Sequence, residues 1–239
     1  MSRALQDIHR LMNSGRVREA MLEATTNLLM AQMRGEENHP SCGEMLDVLG
    51  TMHRTLGNFD AALDFHQRAL FVDQKNFGPN HPNVGSTLGN IAGALTEQGR
   101  FAEAEPLFQR SLRIMETAIG PDHSDLAVHC YNVGGALQNL GRPLEAEPFH
   151  RRAALIAKTN FGPTNHLLGQ ILVSLGFVLE SQGKDEDAVD ELTEGLAIVS
   201  LMLNNDHPLI KRGHTQLVAL LRKAGREEEA CLIEKKFAS

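Results

Sequence analysis

The residues able to do chemistry fall into few kinds. Eleven histidines and three cysteines (Cys42, Cys130 and Cys231) stand among 239 residues. Histidine and cysteine hold a metal only at particular spacings, such as His-Glu-x-x-His or paired cysteines, and neither pattern occurs in the sequence. His39, His81, His123 and His207 share one 42-residue grid, which marks them as architectural. His53, His66, His129, His150, His166 and His214 read as scattered. No metal site is therefore expected. No serine or cysteine sits in a nucleophile motif and no glycine-rich phosphate loop is present, so the expectation is not an enzyme and no cofactor. Cys42 and Cys130 occupy apolar helix positions, as small core residues do. An odd count of three cysteines argues against a disulfide framework and fits a reducing cytoplasm. What remains is the chemistry of recognition. Asn90 and Asn132 stand 42 residues apart, and an amide both donates and accepts a hydrogen bond. Lys211, Arg212, Arg222 and Lys223 form a basic cluster near one end, and Glu44 and Asp47 an acidic pair towards the other.

Composition narrows the partners. Lys+Arg number 23 and Asp+Glu 30, giving a net charge of −7. That balance argues against nucleic acid or an anionic membrane surface as the main partner. Apolar residues make up 42% and charged residues 22%, as in a folded chain rather than a disordered one. No apolar run approaches the roughly 18–20 residues that span a bilayer. Met1 to Asn13 has no apolar core of a secretory leader.

The elements that must position these residues follow from a strong internal repeat. Gly15, Gly57, Gly99, Gly141, Gly183 and Gly225 lie 42 residues apart, and an alanine follows each by five: Ala20, Ala62, Ala104, Ala146, Ala188 and Ala230. Asn165 fills the histidine place in one period, and Gly-Pro recurs at 78–79, 120–121 and 162–163. Residues 81–122 show the physics of one period. Pro82 suits a first helical position, and Val84, Leu88, Ile91, Ala92 and Leu95 keep helical spacing. Gly99 ends that helix. A second helix begins near Phe101, with Ala104, Leu107, Phe108, Ser111, Leu112 and Met115 on its buried face, and stops at Gly120-Pro121. Small residues such as Ala104 and Ser111 let the pair approach closely. One hairpin cannot bury its own apolar face, so neighbours must stack. The approximate units are 1–38, 39–80, 81–122, 123–164, 165–206 and 207–239, forming one array over 1–239. Met12, Met21, Met30 and Met33 are expected in the core of the first hairpin. Glu227, Glu228, Glu229, Glu234, Lys235 and Lys236 are expected as a solvated end cap.

These units resemble tetratricopeptide repeats (TPR) of the 42-residue variety found in kinesin light chains. The resemblance rests on His81-Pro82-Asn83-Val84, Leu88-Gly89-Asn90-Ile91-Ala92, Gln98-Gly99-Arg100-Phe101, Glu103-Ala104-Glu105-Pro106-Leu107-Phe108 and Ile119-Gly120-Pro121-Asp122, and one frame fits every unit. It implies an all-α fold, a right-handed superhelical solenoid of about six hairpins whose first helices line a concave groove. In that frame the groove carries Asp47, Ser86, Asn90, Thr96, Tyr131, Asn132, Gln138, Ser174, Phe177, Arg212, Gln216 and Arg222, with Val173 and Glu180 among them. In repeats of this kind, asparagine at the place of Asn90 and Asn132 bonds the backbone of a bound extended peptide; the alternative is that these asparagines bond neighbouring helices. The place at which chaperone-tail clamps carry an asparagine holds Gly93 and Gly135, which disfavours that ligand. No sustained heptad segment joins a motor here. The expected function is a protein–protein interaction adaptor holding a peptide or partner segment in the groove. The alternative is a self-assembling structural scaffold, a homo-oligomer built through exposed array ends.

Overall fold

The computed structural model of the chain describes residues 3–238, and side chains over 4–235. Among the described residues the regular structure is helical throughout. The helices are α1 (Arg3–Asn13), α2 (Val17–Met33), α3 (Pro40–Thr55), α4 (Phe59–Phe77), α5 (Pro82–Glu97), α6 (Phe101–Ile119), α7 (Leu126–Asn139), α8 (Pro143–Phe161), α9 (His166–Ser181), α10 (Asp185–Val199), α11 (Pro208–Lys223) and α12 (Glu227–Ala238). Consecutive helices pair as hairpins. The chain divides at Pro121 and Asp122 into two compact bodies, each of three hairpins.

Local chemistry explains the helix ends. The side chains of His39, His81 and His207 accept from the backbone N–H two residues on, at 3.3, 3.2 and 3.3 Å, and Asn165 does the same at 2.9 Å. This is the N-cap role, in which a side-chain acceptor satisfies an otherwise orphaned helix donor. At the other end of α5, Arg100 N–H donates to Leu95 O and Gly99 N–H to Thr96 O, both at 2.9 Å. That pair of bonds requires a left-handed residue, and Gly99 has φ +73°.

Packing within each body follows from small residues facing large ones. In the N-terminal body, Ser111 of α6 is fully buried and donates to Gly85 O of α5 at 2.7 Å. In the C-terminal body, α9 buries ten residues, among them Leu168, Ile171, Leu175 and Val178. A core of Leu179, Leu192, Leu196 and Val199 continues into Ile210, Leu217 and Leu221 of α11. Glu147 of α8 accepts from Lys184 at 2.7 Å and from Arg151 at 2.9 Å, which holds its carboxyl down at about 2.

Two expectations need correction. Met30 and Met33 are exposed, because only Ala20 and Ala24 of α2 are buried against the first core; Met12 and Met21 do pack there. Val173 is fully buried rather than open to a groove. In the end cap, Glu227, Glu228, Glu229, Glu234 and Lys235 are exposed, and Lys236 lies outside the described side chains.

Candidate functional site

In the N-terminal body, Asp47 of α3 and Asn90 of α5 meet. The Asn90 amide donates to both Asp47 oxygens, at 3.0 and 2.9 Å. His66 of α4, fully buried, stands with Nδ1 2.7 Å from Asp47 Oδ1; since the carboxylate accepts, Nδ1 carries the proton. The His66 ring fits because Gly50 lies beneath it: a Cβ there would stand 2.6–2.7 Å from the ring atoms. Asn90 therefore does bond a neighbouring first helix, and its amide oxygen remains as an acceptor. Ser86 is exposed and shares a hollow of about 450 Å³ with Asp47. Thr96 bonds its own helix at Ala92 O, 2.9 Å.

In the C-terminal body, α7, α9 and α11 wall a groove of about 840 Å³. It gathers Tyr131, Gln138, Ser174, Phe177, Arg212 and Gln216, together with Glu180. Tyr131 and Ser174 hydroxyls lie 3.4 Å apart, the same first-helix to first-helix relation as Asp47 to Asn90. The Arg212 guanidinium sits 4.3 Å above the Phe177 ring, a cation–π contact that leaves Phe177 at 9% exposure. Gln216 donates to Glu180. Burial pushes the Glu180 carboxyl up, repulsion from Asp185 adds to this, and Lys223 and Arg212 oppose it. Chemically the groove offers an aromatic wall, a cation and mixed donors and acceptors, which suits a polar main chain with an acidic or aromatic side chain.

Two predicted residues lie elsewhere. Asn132 is half-buried on α7, does not line this groove and makes no hydrogen bond among the described residues. Arg222 lines a separate hollow of about 920 Å³ on α11 and α12. Its guanidinium donates to Glu227 at 3.2 Å and Glu234 at 2.9 Å, so the last hairpin itself neutralises it. The basic groove end expected from Arg212 and Arg222 thus reduces to Arg212.

Other residues escape a reading of the sequence. His66 and His150 read as scattered, yet they stand two periods apart at one grid place and both are fully buried. Asp73 is another. Its grid place holds Met115, Ala157 and Val199 in later periods, so a carboxylate at an otherwise apolar place is the available signal. Burial pushes the Asp73 carboxyl up, while Thr87 opposes this by donating to it at 3.0 Å.

Known proteins place this fold. Solved structures with similar folds include nearly identical TPR-like repeats of kinesin-light-chain type from Podosopora anserina (TM-score 0.68, 19% identity, covering 84% of this chain and 95% of that one). BtubC (BKLC) from P. vanneervenii aligns over 100% of this chain and 91% of its own, with TM-score 0.74 and 16% identity. MamA from Desulfovibrio magneticus RS-1 covers 82% and 93%, with TM-score 0.62 and 14% identity. No curated protein matches the sequence. A tetratricopeptide repeat family profile matches residues 41–117, 83–129 and 124–200. Such repeats generally mediate protein–protein interaction and scaffolding. With those matches running from 41 to 200 in a chain of 239 residues, the protein belongs to the tetratricopeptide repeat family.

Proposed function

We propose that this chain is a cytoplasmic adaptor, one array of six repeats, that holds an extended segment of a partner protein against its first helices, and that it is a binding module rather than a catalyst. The observation that carries this reading is the C-terminal groove. Tyr131, Ser174, Phe177 and Arg212 come from three successive first helices and converge on about 840 Å³ of open space. Aromatic rings and arginine supply most of the energy in typical recognition sites. The free oxygen of Asn90 supports main-chain recognition by an amide on a first helix.

The test is a peptide-display selection on the full chain, followed by titration calorimetry of the selected peptide. Arg212→Ala and the double variant Tyr131→Ala/Ser174→Ala are each expected to weaken binding about tenfold, the equivalent of one or two lost polar contacts. Undiminished binding by both variants would sink the groove reading.

A second reading, self-assembly, is supported by a different surface. An apolar hollow of about 580 Å³ among α2, α3 and α4 is lined by Leu28, Leu29, Phe65 and Phe71. Leu22 and Met33 of α2 are 70% and 83% exposed. Exposed apolar patches of this kind often mark contacts between chains. Sedimentation across a hundredfold range of concentration separates the readings, and a monomer throughout removes the second.

A further inference from the structure

We propose that α2 is a dimerisation helix: a second copy of this chain lays its own α2 antiparallel along the α2–α4 face, about a twofold axis between Thr25 and Thr26. The inference rests on the self-assembly reading above and names the surface, its register and the charges that fix them.

Helix α2 carries apolar residues on two sides. Ala20 and Ala24 join the first core. Leu22, Leu29 and Met33 stay outside it, at 70%, 56% and 83% exposure. Arg18, Leu22, Thr25 and Leu29 follow one another at steps of four, three and four residues, all exposed, which makes one continuous stripe of the helix. The interior second helices lack this stripe. Where α2 has Leu22, α4 and α10 have Asp64 and Asp190, and α6 and α8 have prolines. Where it has Met33, they have Lys75, Thr117 and Thr159 in α4, α6 and α8. The stripe borders the hollow of about 580 Å³, where Thr25 and Leu29 share the wall with Phe71 of α4, itself 62% exposed, above the buried Leu46, Leu49 and Val72. An exposed apolar strip continuous with an apolar hollow is a surface that a second helix covers.

The stripe is its own complement. In an antiparallel pair about that axis, Leu22 meets Leu29 of the second copy and Leu29 meets its Leu22, the reciprocity that a twofold contact requires. Charge selects the direction. On this side of the body Arg16 pairs with Glu19, Arg34 with Glu36 and Asp64 with Arg68. Arg18 at the start of α2 and Glu37 just beyond its end are exposed and make no ion pair among the described residues. Glu37 lines the hollow. An antiparallel copy brings Arg18 of each chain towards Glu37 of the other, twice per dimer. A parallel copy would set arginine beside arginine and glutamate beside glutamate. Unmatched opposite charges at the two ends of one apolar stripe therefore select the same helix, reversed, as the occupant.

The experiment is sedimentation of the full chain over a wide range of concentration, with a reversible monomer–dimer equilibrium expected. Leu29→Asp sets a carboxylate against Leu22 of the second copy at both ends of the contact and is expected to weaken the dimer about a hundredfold. Leu22→Asp, at a more exposed place, repeats the test, and circular dichroism checks that both variants keep their helices. Arg18→Glu and Glu37→Arg are each expected to weaken the dimer about tenfold. An equimolar mixture of those two variants is expected to recover the wild-type equilibrium, because each contact in the mixed dimer again joins opposite charges. A full-strength dimer in both aspartate variants would overturn this surface and leave self-assembly standing. No recovery in the mixture would overturn the antiparallel register. A wild-type chain that stays monomeric at every concentration would remove the dimer and the self-assembly reading together, and would leave the stripe to a helix of another protein.

Discussion

His39, His81 and His207 each lend Nδ1 as an acceptor to a helix start, so each carries its proton on Nε2, while His150 is fully buried beside Tyr131 and Gly134. For the capping role, His81→Ala is expected to cost about 1 kcal/mol in urea denaturation, and His81→Asn to cost almost nothing, because Asn165 already performs that task at 2.9 Å. His150 follows the opposite logic. Burial lowers its pKa to about 4, so the folded ring stays neutral down to that value. The unfolded ring takes up a proton near its ordinary pKa of about 6.5. Between about pH 6.5 and 4 the unfolded chain binds more protons, so this group makes stability fall as the solution is acidified. The loss is on the order of 3 kcal/mol by pH 4. His150→Leu, which copies Leu192 at the same grid place, is expected to flatten that part of the pH dependence; melts at pH 7 and pH 5 with the same drop in both proteins would show that the acid lability lies elsewhere.

Between helices, the spacing of a pair is set where one backbone meets the other's large side chain. A Cβ on Gly134 of α7 would stand 2.9 Å from the His150 ring, whereas nothing lies within 4 Å of one on Gly93 of α5. Gly134→Ala should therefore destabilise by about 1–3 kcal/mol through overpacking. Gly93→Ala should stabilise by up to about 1 kcal/mol, since alanine is the better helix former and meets no obstacle. Chemical denaturation reads both, and changes of the same sign would contradict these helix contacts. Gly135, also clear of neighbours within 4 Å, lines the C-terminal groove, so Gly135→Ala tests stability and ligand space at once.

Across the molecule, a repeat protein derives its stability from each hairpin and from its contacts with neighbours. Helix α9 buries ten residues, while α2 buries Ala20 and Ala24. Hydrogen exchange is accordingly expected to be slowest in α9 and α10 and much faster in α2 and α12. Mass-spectrometric exchange at neutral pH checks this, and equal protection of α2 and α9 would contradict it.

The hairpins and their ends are legible in the chain because their causes are local. The glycine and alanine grid, the Gly-Pro stops and helical apolar spacing all act within a few residues, and Pro82–Glu97 and Phe101–Ile119 occur where those signals put them. The histidine and asparagine grid reads as a boundary, and its capping chemistry needs only the next two residues. The polar first-helix residues are another matter. Whether Asn90, Ser174 or Gln216 lies open or bonds Asp47, Tyr131 or Glu180 depends on atoms 36 to 43 residues away. Whether Arg222 reaches a groove or its own hairpin depends on Glu227 and Glu234. The burial of Asp73 and His150 likewise arises from the packing of whole helices, since side-chain solvation is a property of the assembled neighbourhood and no local pattern encodes it.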